Sequence, residues 1–591
     1  MTDPRDRYVV DDLLIDTGVR QVSRGGRVLD ITGLSFDLLL ALVRGAPNLV
    51  SMEALMDGVW RGLVVSPQTV TQRVKLVRQA LGDSADNPRY VAGLRGRGYR
   101  LAAQVRPLGF DARTSIAVLP FANLTGEMGK EYLGDAIAEE LIDALARVPG
   151  LRVPARTSSF SYRTRNTDVR RIADELAVAT ILEGSVRSAG PHIRVGARLV
   201  DARSGFQIWS NTYERQVEDL FALQEQLAAQ IVRALGDYLG TRLPDPLERP
   251  PPTRDVDAYQ LYLQGRMAAR GTNETIRTAA LLFDQAVARD PHFADPLAAR
   301  AVLRAGSVLL GGQPSALLQS SRGDALRALE LNPRLPEAHT ALGVIEAVGA
   351  KWLEASASFH AALALAPASP FVRNLYNLTV LRPVGRLQQA RLELEATYSL
   401  APAEGFTAHE LALTHSLLGN DAEAVRFAEL AQALTSMQPH WDLLLVYARA
   451  AMRQGRYSEA AERVSGALPA SLRDATMTVQ SFYAALAVPD RRRAAEGAIR
   501  SLMPRLPGEG IDGRTQSFLV AALASIGAHD VAYELADRLL DAAGDVRGRI
   551  DWADLWTPEL RAFRQDARFG ALVERLGFTP YWQQHGFPDG Y

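Results

Sequence analysis

Ten side chains in one short stretch could hold a nucleic-acid duplex: Gln68, Thr69, Thr71, Gln72, Arg73, Lys75 and Arg78, then Arg95, Arg97 and Tyr99. Amides pair with adenine edges, guanidinium groups with guanine edges, and hydroxyls and cations with phosphate oxygens. From position 66 to 106 the chain carries eight Lys/Arg (Arg73, Lys75, Arg78, Arg89, Arg95, Arg97, Arg100, Arg106) against two acids (Asp83, Asp86), a local charge of +6 in a chain whose total is −1. Charge concentrated in this way is the footprint of a module that meets phosphate at one place. The bland alternative is a solvated amphipathic helix and hairpin on some other domain.

Two elements must position these groups. Ser66-Pro67 supplies an N-cap and a first-turn proline, and Gly82 follows Leu81 as a C′ glycine, so a helix is predicted between them. Val70, Val74, Val77 and Leu81 recur at helical spacing as its buried stripe, which turns Gln68, Gln72, Lys75 and Gln79 outward. A hairpin follows, with strands at 89–92 and 99–101 around a glycine-rich tip, 93–98, that carries arginines.

This pattern resembles the winged helix effector domain of the OmpR/PhoB response regulators. The family's recognition helix reads T-V-x-x-x-I-x-x-L-R-x-x-L and its wing ends in R-G-x-G-Y-R. Here stand Thr69-Val70, Val74, Val77-Arg78 and Leu81, then Arg95-Gly96-Arg97-Gly98-Tyr99-Arg100. Thr32 and 36–42 look like the family's first helix, and Leu55 with Val59-Trp60 like its second. The resemblance implies a DNA-binding domain over 1–106 that reads duplex promoter DNA. Two positions depart from the pattern: Ser35 where the family usually has glutamate, and Leu76 where a basic residue is common, which removes one phosphate contact.

At 591 residues the chain exceeds one core and must divide into domains. Its 47% hydrophobic and 23% charged residues are ordinary for a soluble protein, and the absence of cysteine excludes disulfides and thiolate metal sites. Residues 1–16 are charged and lack the apolar segment of a signal peptide, and no apolar run approaches the about 20 residues that span a bilayer. A cytoplasmic protein without membrane contact is expected. Short strands at 8–15, 19–22 and 27–31 and helices at 36–44 and 51–60 precede the loop 61–65, which in the resembled family can touch RNA polymerase. Only 105–115 separates the wing from a second domain, 115–242. There a buried-type strand from 116, a helix at 132–148, a strand at 151–154, a helix at 168–177 and strands at 180–188, 192–201 and 207–213 make an α/β unit. The motifs Leu-Pro-Phe-Ala-Asn-Leu (119–124), Leu-Glu-Gly-Ser-Val-Arg (182–187) and Trp-Ser-Asn-Thr-Tyr (209–213) resemble a TolB-type domain. The opening is also distantly similar to class III nucleotide cyclases, whose F-A-D motif carries a metal-binding aspartate. Here Asn123 takes that place, a poor ligand for magnesium.

A helix at 221–239 leads into the proline-rich stretch 243–255, read as a semi-rigid linker. Beyond it the spacing A-x3-F-x2-A-x4-P appears at Ala279, Phe283, Ala286, Pro291 and again at Ala355, Phe359, Ala362, Pro367, and the step from Pro333 to Pro367 is 34 residues. Period and pattern resemble tetratricopeptide repeats (TPR). About six to eight helix pairs are expected over 256–545, stacked as a solenoid whose concave face accepts a protein or peptide, with 546–591 capping the last pair. His409-Glu410 with His415 is not the helical zinc motif, because the histidines lie six rather than four apart. The hydroxyl run Thr157-Ser158-Ser159 has no elbow glycines and reads as a loop or helix cap.

The expected fold is multidomain α+β: an N-terminal winged helix-turn-helix, a central TolB-like α/β domain and a C-terminal all-α TPR solenoid. The expected function is a non-enzymatic transcriptional regulator, without metal or cofactor, that binds promoter DNA. It contacts RNA polymerase, acts as a homodimer and takes its signal through the TPR region. The competing readings are a TPR scaffold whose winged helix meets protein, and a TolB-domain enzyme.

Overall fold

The computed structural model describes residues 7–588 apart from short segments, among them 61–64, 95–96, 109–113, 126–131, 245–251, 310–315, 435–440, 466–475 and 506–512. Arg95 and most of the loop expected to meet RNA polymerase therefore lie outside the described residues.

Four short strands, β1 (Arg7–Val10), β2 (Leu13–Asp16), β3 (Gln21–Arg24) and β4 (Arg27–Leu29), open the chain. Helices α1 (Leu34–Gly45), α2 (Met52–Val59) and α3 (Pro67–Leu81) follow, with β5 (Val50–Ser51) between the first two. Strands β6 (Val91–Leu94) and β7 (Gly98–Leu101) form the wing, two residues later on its first side than the sequence suggested, and β5 extends it to a sheet of order β5-β7-β6. Gly98 is needed where β7 crosses β5: its φ is +142°, and a Cβ there would run into the Val50 carbonyl. A further strand, β8 (Val105–Leu108), returns to pair antiparallel with β1, so residues read as the start of a linker close the first sheet instead.

The middle domain holds β9 (Ile116–Val118), β10 (Ala122–Asn123), α4 (Tyr132–Ala146), α5 (Arg156–Phe160), α6 (Val169–Leu176), β11 (Thr180–Ala189), β12 (His192–Asp201), β13 (Gln207–Gln216) and α7 (Leu220–Leu239). Its sheet runs β10-β11-β12-β13 with β9 also on β11, both short strands parallel to it. The strand expected at 151–154 reduces to one bridge, Ser115 to Arg152. The hydroxyl run expected as a loop or cap lies inside α5, with Ser158 and Ser159 buried.

The proline-rich stretch does not hold two bodies apart. Beyond it α8 (Val256–Ala268), α9 (Asn273–Arg289) and the turn after α9 place Tyr259, Tyr262, Leu263, Phe283 and Phe293 in the same core as Ile137 and Leu141 of α4 and Leu227 and Ile231 of α7. Tyr262 meets Phe293 edge to face at 5.2 Å, and Arg266 of α8 pairs with Glu139 of α4. The two sides of the proline-rich stretch share a core because the apolar cluster of α4 and α7 continues into α8 and α9.

Eight antiparallel helix pairs run from α8 to helix His529–Ala543 among the described residues. Ala279, Phe283 and Ala286 are buried, as are Ala355, Phe359 and Ala362 in the equivalent places, where small residues let paired helices approach. The tail does more than cap the last pair. It folds back along the inner helices: Trp352 Nε1 donates to the Leu576 carbonyl at 2.7 Å, Trp556 Nε1 to Pro383 at 2.7 Å and Trp582 Nε1 to Val384 at 2.9 Å. Its acids meet arginines lining that face. Asp551 accepts from Arg382 at 3.0 Å and Arg514 at 2.6 Å, Asp554 from Arg449 at 2.5 Å, and Glu559 from Arg453 at 2.5 Å. Gly548 makes the close approach possible, since a Cβ there would meet the Ala347 carbonyl. The surface that carries Arg382, Arg449, Arg453 and Arg514 is thus covered by the chain's own C-terminal residues. His409 sits 3.3 Å from Asp442, and His415 stacks on Phe427, its pKa lowered by burial; both pack within the array.

Candidate nucleic-acid interface

Helix α3 is fixed at both ends. Gly82 adopts the left-handed conformation at φ 62°, and Gly82 N donates to the Gln79 carbonyl at 3.2 Å while Asp83 N donates to Arg78 at 2.8 Å, a Schellman ending. At the start the expected serine cap is not made: the Ser66 hydroxyl lies 3.3 Å from the Thr69 hydroxyl, and its side chain takes no backbone N–H. Val70, Val74, Val77 and Leu81 are buried, with α3 packed on α1 and α2.

Gln68, Gln72, Lys75 and Gln79 are exposed, as the stripe requires. Thr71 and Tyr99 are brought together, the Tyr99 hydroxyl donating to the Thr71 hydroxyl at 3.3 Å, so wing and helix share one surface. Thr69 and Arg73 are half-buried on the flank, where Arg73 Nη1 donates to the Ser35 hydroxyl at 3.4 Å. Ser35, standing where the resembled family usually has glutamate, still takes part in fixing that side chain. Arg97 is exposed at the tip of the wing. Arg78 departs from expectation: its Nε and Nη2 donate to the Val91 carbonyl at 3.2 and 2.8 Å, so the half-buried guanidinium clamps the wing strand to the helix.

Two positioning residues escaped the sequence reading. The Asp83 carboxylate accepts from the backbone N–H of Arg89, Tyr90 and Val91 at 2.7, 3.2 and 2.8 Å, which holds the crossing from helix to wing. Arg24, from β3, donates to the Leu81 carbonyl at 2.7 Å and to the Tyr90 hydroxyl at 3.2 Å, and so caps the recognition helix from the first sheet. Tyr90 in turn donates to Asp12, and this hydrogen bond, with Arg89 and Arg24 nearby, holds the Asp12 carboxyl below the usual carboxylate range. An aspartate just after a helix-ending glycine was the available signal for the first. No local signal marks the second, whose partners lie 57 and 66 positions away.

Residues 26–101 match the family described as "Transcriptional regulatory protein, C terminal". The chain is similar to the transcriptional regulator HilA of Salmonella typhimurium, 23% identical over 438 residues that cover 72% of this chain and 76% of HilA. It is also similar to the transcriptional activator CadC of Escherichia coli K12, 33% identical over 97 residues, 16% of this chain and 19% of CadC. A Rhizobium meliloti protein named as an adenylate cyclase is 33% identical over 242 residues, 40% of this chain and 41% of that protein. The chain thus spans well under half of the cyclase-named relative. Among the described residues no helix is long and apolar enough to cross a membrane. What the helix, the wing and the matched family have in common is that residues 26–101 form a transcriptional regulatory C-terminal domain of the OmpR/PhoB type.

Proposed function

We propose that this protein is a DNA-binding transcriptional regulator in which α3 enters the major groove of promoter DNA and the wing lies on the backbone beside it. The observation that carries this reading is the exposed amide and ammonium face of Gln68, Gln72, Lys75 and Gln79 on a helix inside the matched regulatory domain. Gln72 reads a base edge, Lys75 and Arg97 meet phosphate, and Thr71 with Tyr99 bridges the two elements. The middle domain, TolB-like by its motifs, and the tetratricopeptide-like array carry the regulatory input. The shared core of α4 and α8 supports coupling between them. Neutralised phosphates release counterions, so affinity should fall steeply with salt. Titration of the full chain onto duplex DNA across a salt series tests this. Gln72→Ala should blur sequence preference, and binding indifferent to salt would overturn the reading.

The cyclase-named relative supports a second reading, nucleotide cyclisation by the middle domain. Against it stands Asn123, whose carboxamide oxygen accepts from Thr125 N at 2.8 Å and organises a turn. Cyclic nucleotide formed from ATP and magnesium by the full chain would promote this reading to first.

A further inference from the structure

Leu76 stands 49% exposed on α3, one turn from Gln72 and two from Thr69, on the side of the helix that faces away from the Val70, Val74, Val77 and Leu81 stripe. A single exposed leucine on an ordinary surface calls for no explanation. This one lies among amides, hydroxyls and an ammonium group on the face assigned above to the major groove, where docking strips water from every group. Leucine can pair neither with the donors and acceptors of the base edges nor with phosphate. Within the major groove the apolar group that the four base pairs present is the thymine 5-methyl.

We infer that Leu76 is a specificity-determining residue that packs on a thymine 5-methyl group, so that each half-site carries a fixed thymine beside the base read by Gln72. The inference rests on the DNA-binding reading and names what that face selects. A basic side chain at this position would reach phosphate instead and carry no base preference. Gln72, one turn before, offers a carboxamide to adenine N6 and N7, so the pair together favours an A·T-rich step.

The test uses the full chain. Duplexes selected by the chain from a random library define the preferred site, and each thymine in it is then replaced singly by deoxyuridine, which deletes only the methyl group. At one thymine of each half-site the affinity should drop about fourfold, the worth of one buried methyl group. In Leu76→Ala the same replacement should cost nothing, while Leu76→Met keeps most of the effect. Leu76→Lys should lose the thymine preference and steepen the salt dependence by about one phosphate contact. Leu76 is exposed and away from the core, so none of these variants threatens the fold. Deoxyuridine tolerated at every thymine overturns the inference, as does a methyl effect that survives Leu76→Ala, which would assign it to Thr69. Salt-dependent binding without sequence selection also overturns it and leaves DNA binding standing, whereas a chain that binds no duplex removes the underlying reading as well.

Discussion

Residues 7–108 bury Phe36, Leu39, Val70, Val77 and Tyr90 in a core drawn from that stretch alone. The helices and sheet of 116–239 keep one core of their own around Leu119, Ile172 and Ile181, but share their larger one with Tyr259, Tyr262, Leu263, Phe283 and Phe293 from beyond the proline-rich segment. The first is a module that can be placed beside other domains without losing its fold. The second is half of a larger body, and the array behind it is likewise closed by a tail that reaches back across it. A run of prolines in the sequence does not mark where a core ends.

Severing the chain should break this comparison most sharply. A fragment ending at Arg249 keeps the apolar faces of α4 and α7 but loses Tyr259, Tyr262, Leu263, Phe283 and Phe293, five residues of the shared core. Each such loss is worth about 2 to 5 kcal/mol, so the five together are worth about 10 to 25 kcal/mol, against the about 5 to 15 kcal/mol that holds a domain folded. The middle domain of the fragment should lack slow-exchanging amides, while residues 7–108 of the same fragment keep theirs. Equal protection in both would show that the middle domain stands alone.

How much could be read beforehand follows the same division. The winged domain was legible down to single residues, because Val70, Val74, Val77 and Leu81 act at helical spacing and Gly82 ends the helix by local rules. Helix pairs were legible from Ala279, Phe283 and Ala286, since the period repeats. What stayed hidden depends on contacts distant in sequence: β8 pairing with β1, Arg24 capping Leu81, and Asp554 and Trp556 bonded to Arg449 and Pro383, more than a hundred residues earlier. Periodicity turns Gln68, Gln72 and Lys75 to one face of α3, yet the spacing could not tell that the Arg78 guanidinium is spent on Val91.

The tail offers a second way to sharpen the comparison. Burial pushes the Asp551 carboxyl up, but Arg382 and Arg514 more than offset this, and its pKa is lowered overall. A depressed carboxylate adds stability that is complete above its unfolded value, near pH 4, and is lost as pH falls through the folded value. Asp551→Ala leaves Arg382 and Arg514 short of a buried partner, which costs about 3 to 5 kcal/mol. Thermal melting of the full chain should show the array transition falling by the corresponding amount at pH 7 while the winged domain's transition stays. Acidification below pH 4 should narrow the gap between variant and parent. A gap that does not change with pH would remove Asp551 from the buried ion network.

The smallest expected effect separates two cations of the winged domain that the sequence treats alike. Lys75 is exposed and Arg78 is half-buried, its Nε and Nη2 spent on the Val91 carbonyl. Lys75→Ala should leave stability within about 0.5 kcal/mol, as surface changes usually do, and lower the slope of log affinity against log salt by about one phosphate contact. Arg78→Ala removes two charge-assisted hydrogen bonds to one carbonyl, worth about 1.5 to 3 kcal/mol, and frees the wing strand from the helix. Its signature should be a lower melting temperature of the winged domain with loss of affinity at every salt concentration, because a loosened wing no longer shares a rigid surface with Thr71 and Tyr99. Arg78→Lys keeps the charge but cannot place two donors on the Val91 oxygen. If Lys restores affinity and stability together, Arg78 acts as a simple charge; if it restores neither, the clamp is what the site requires.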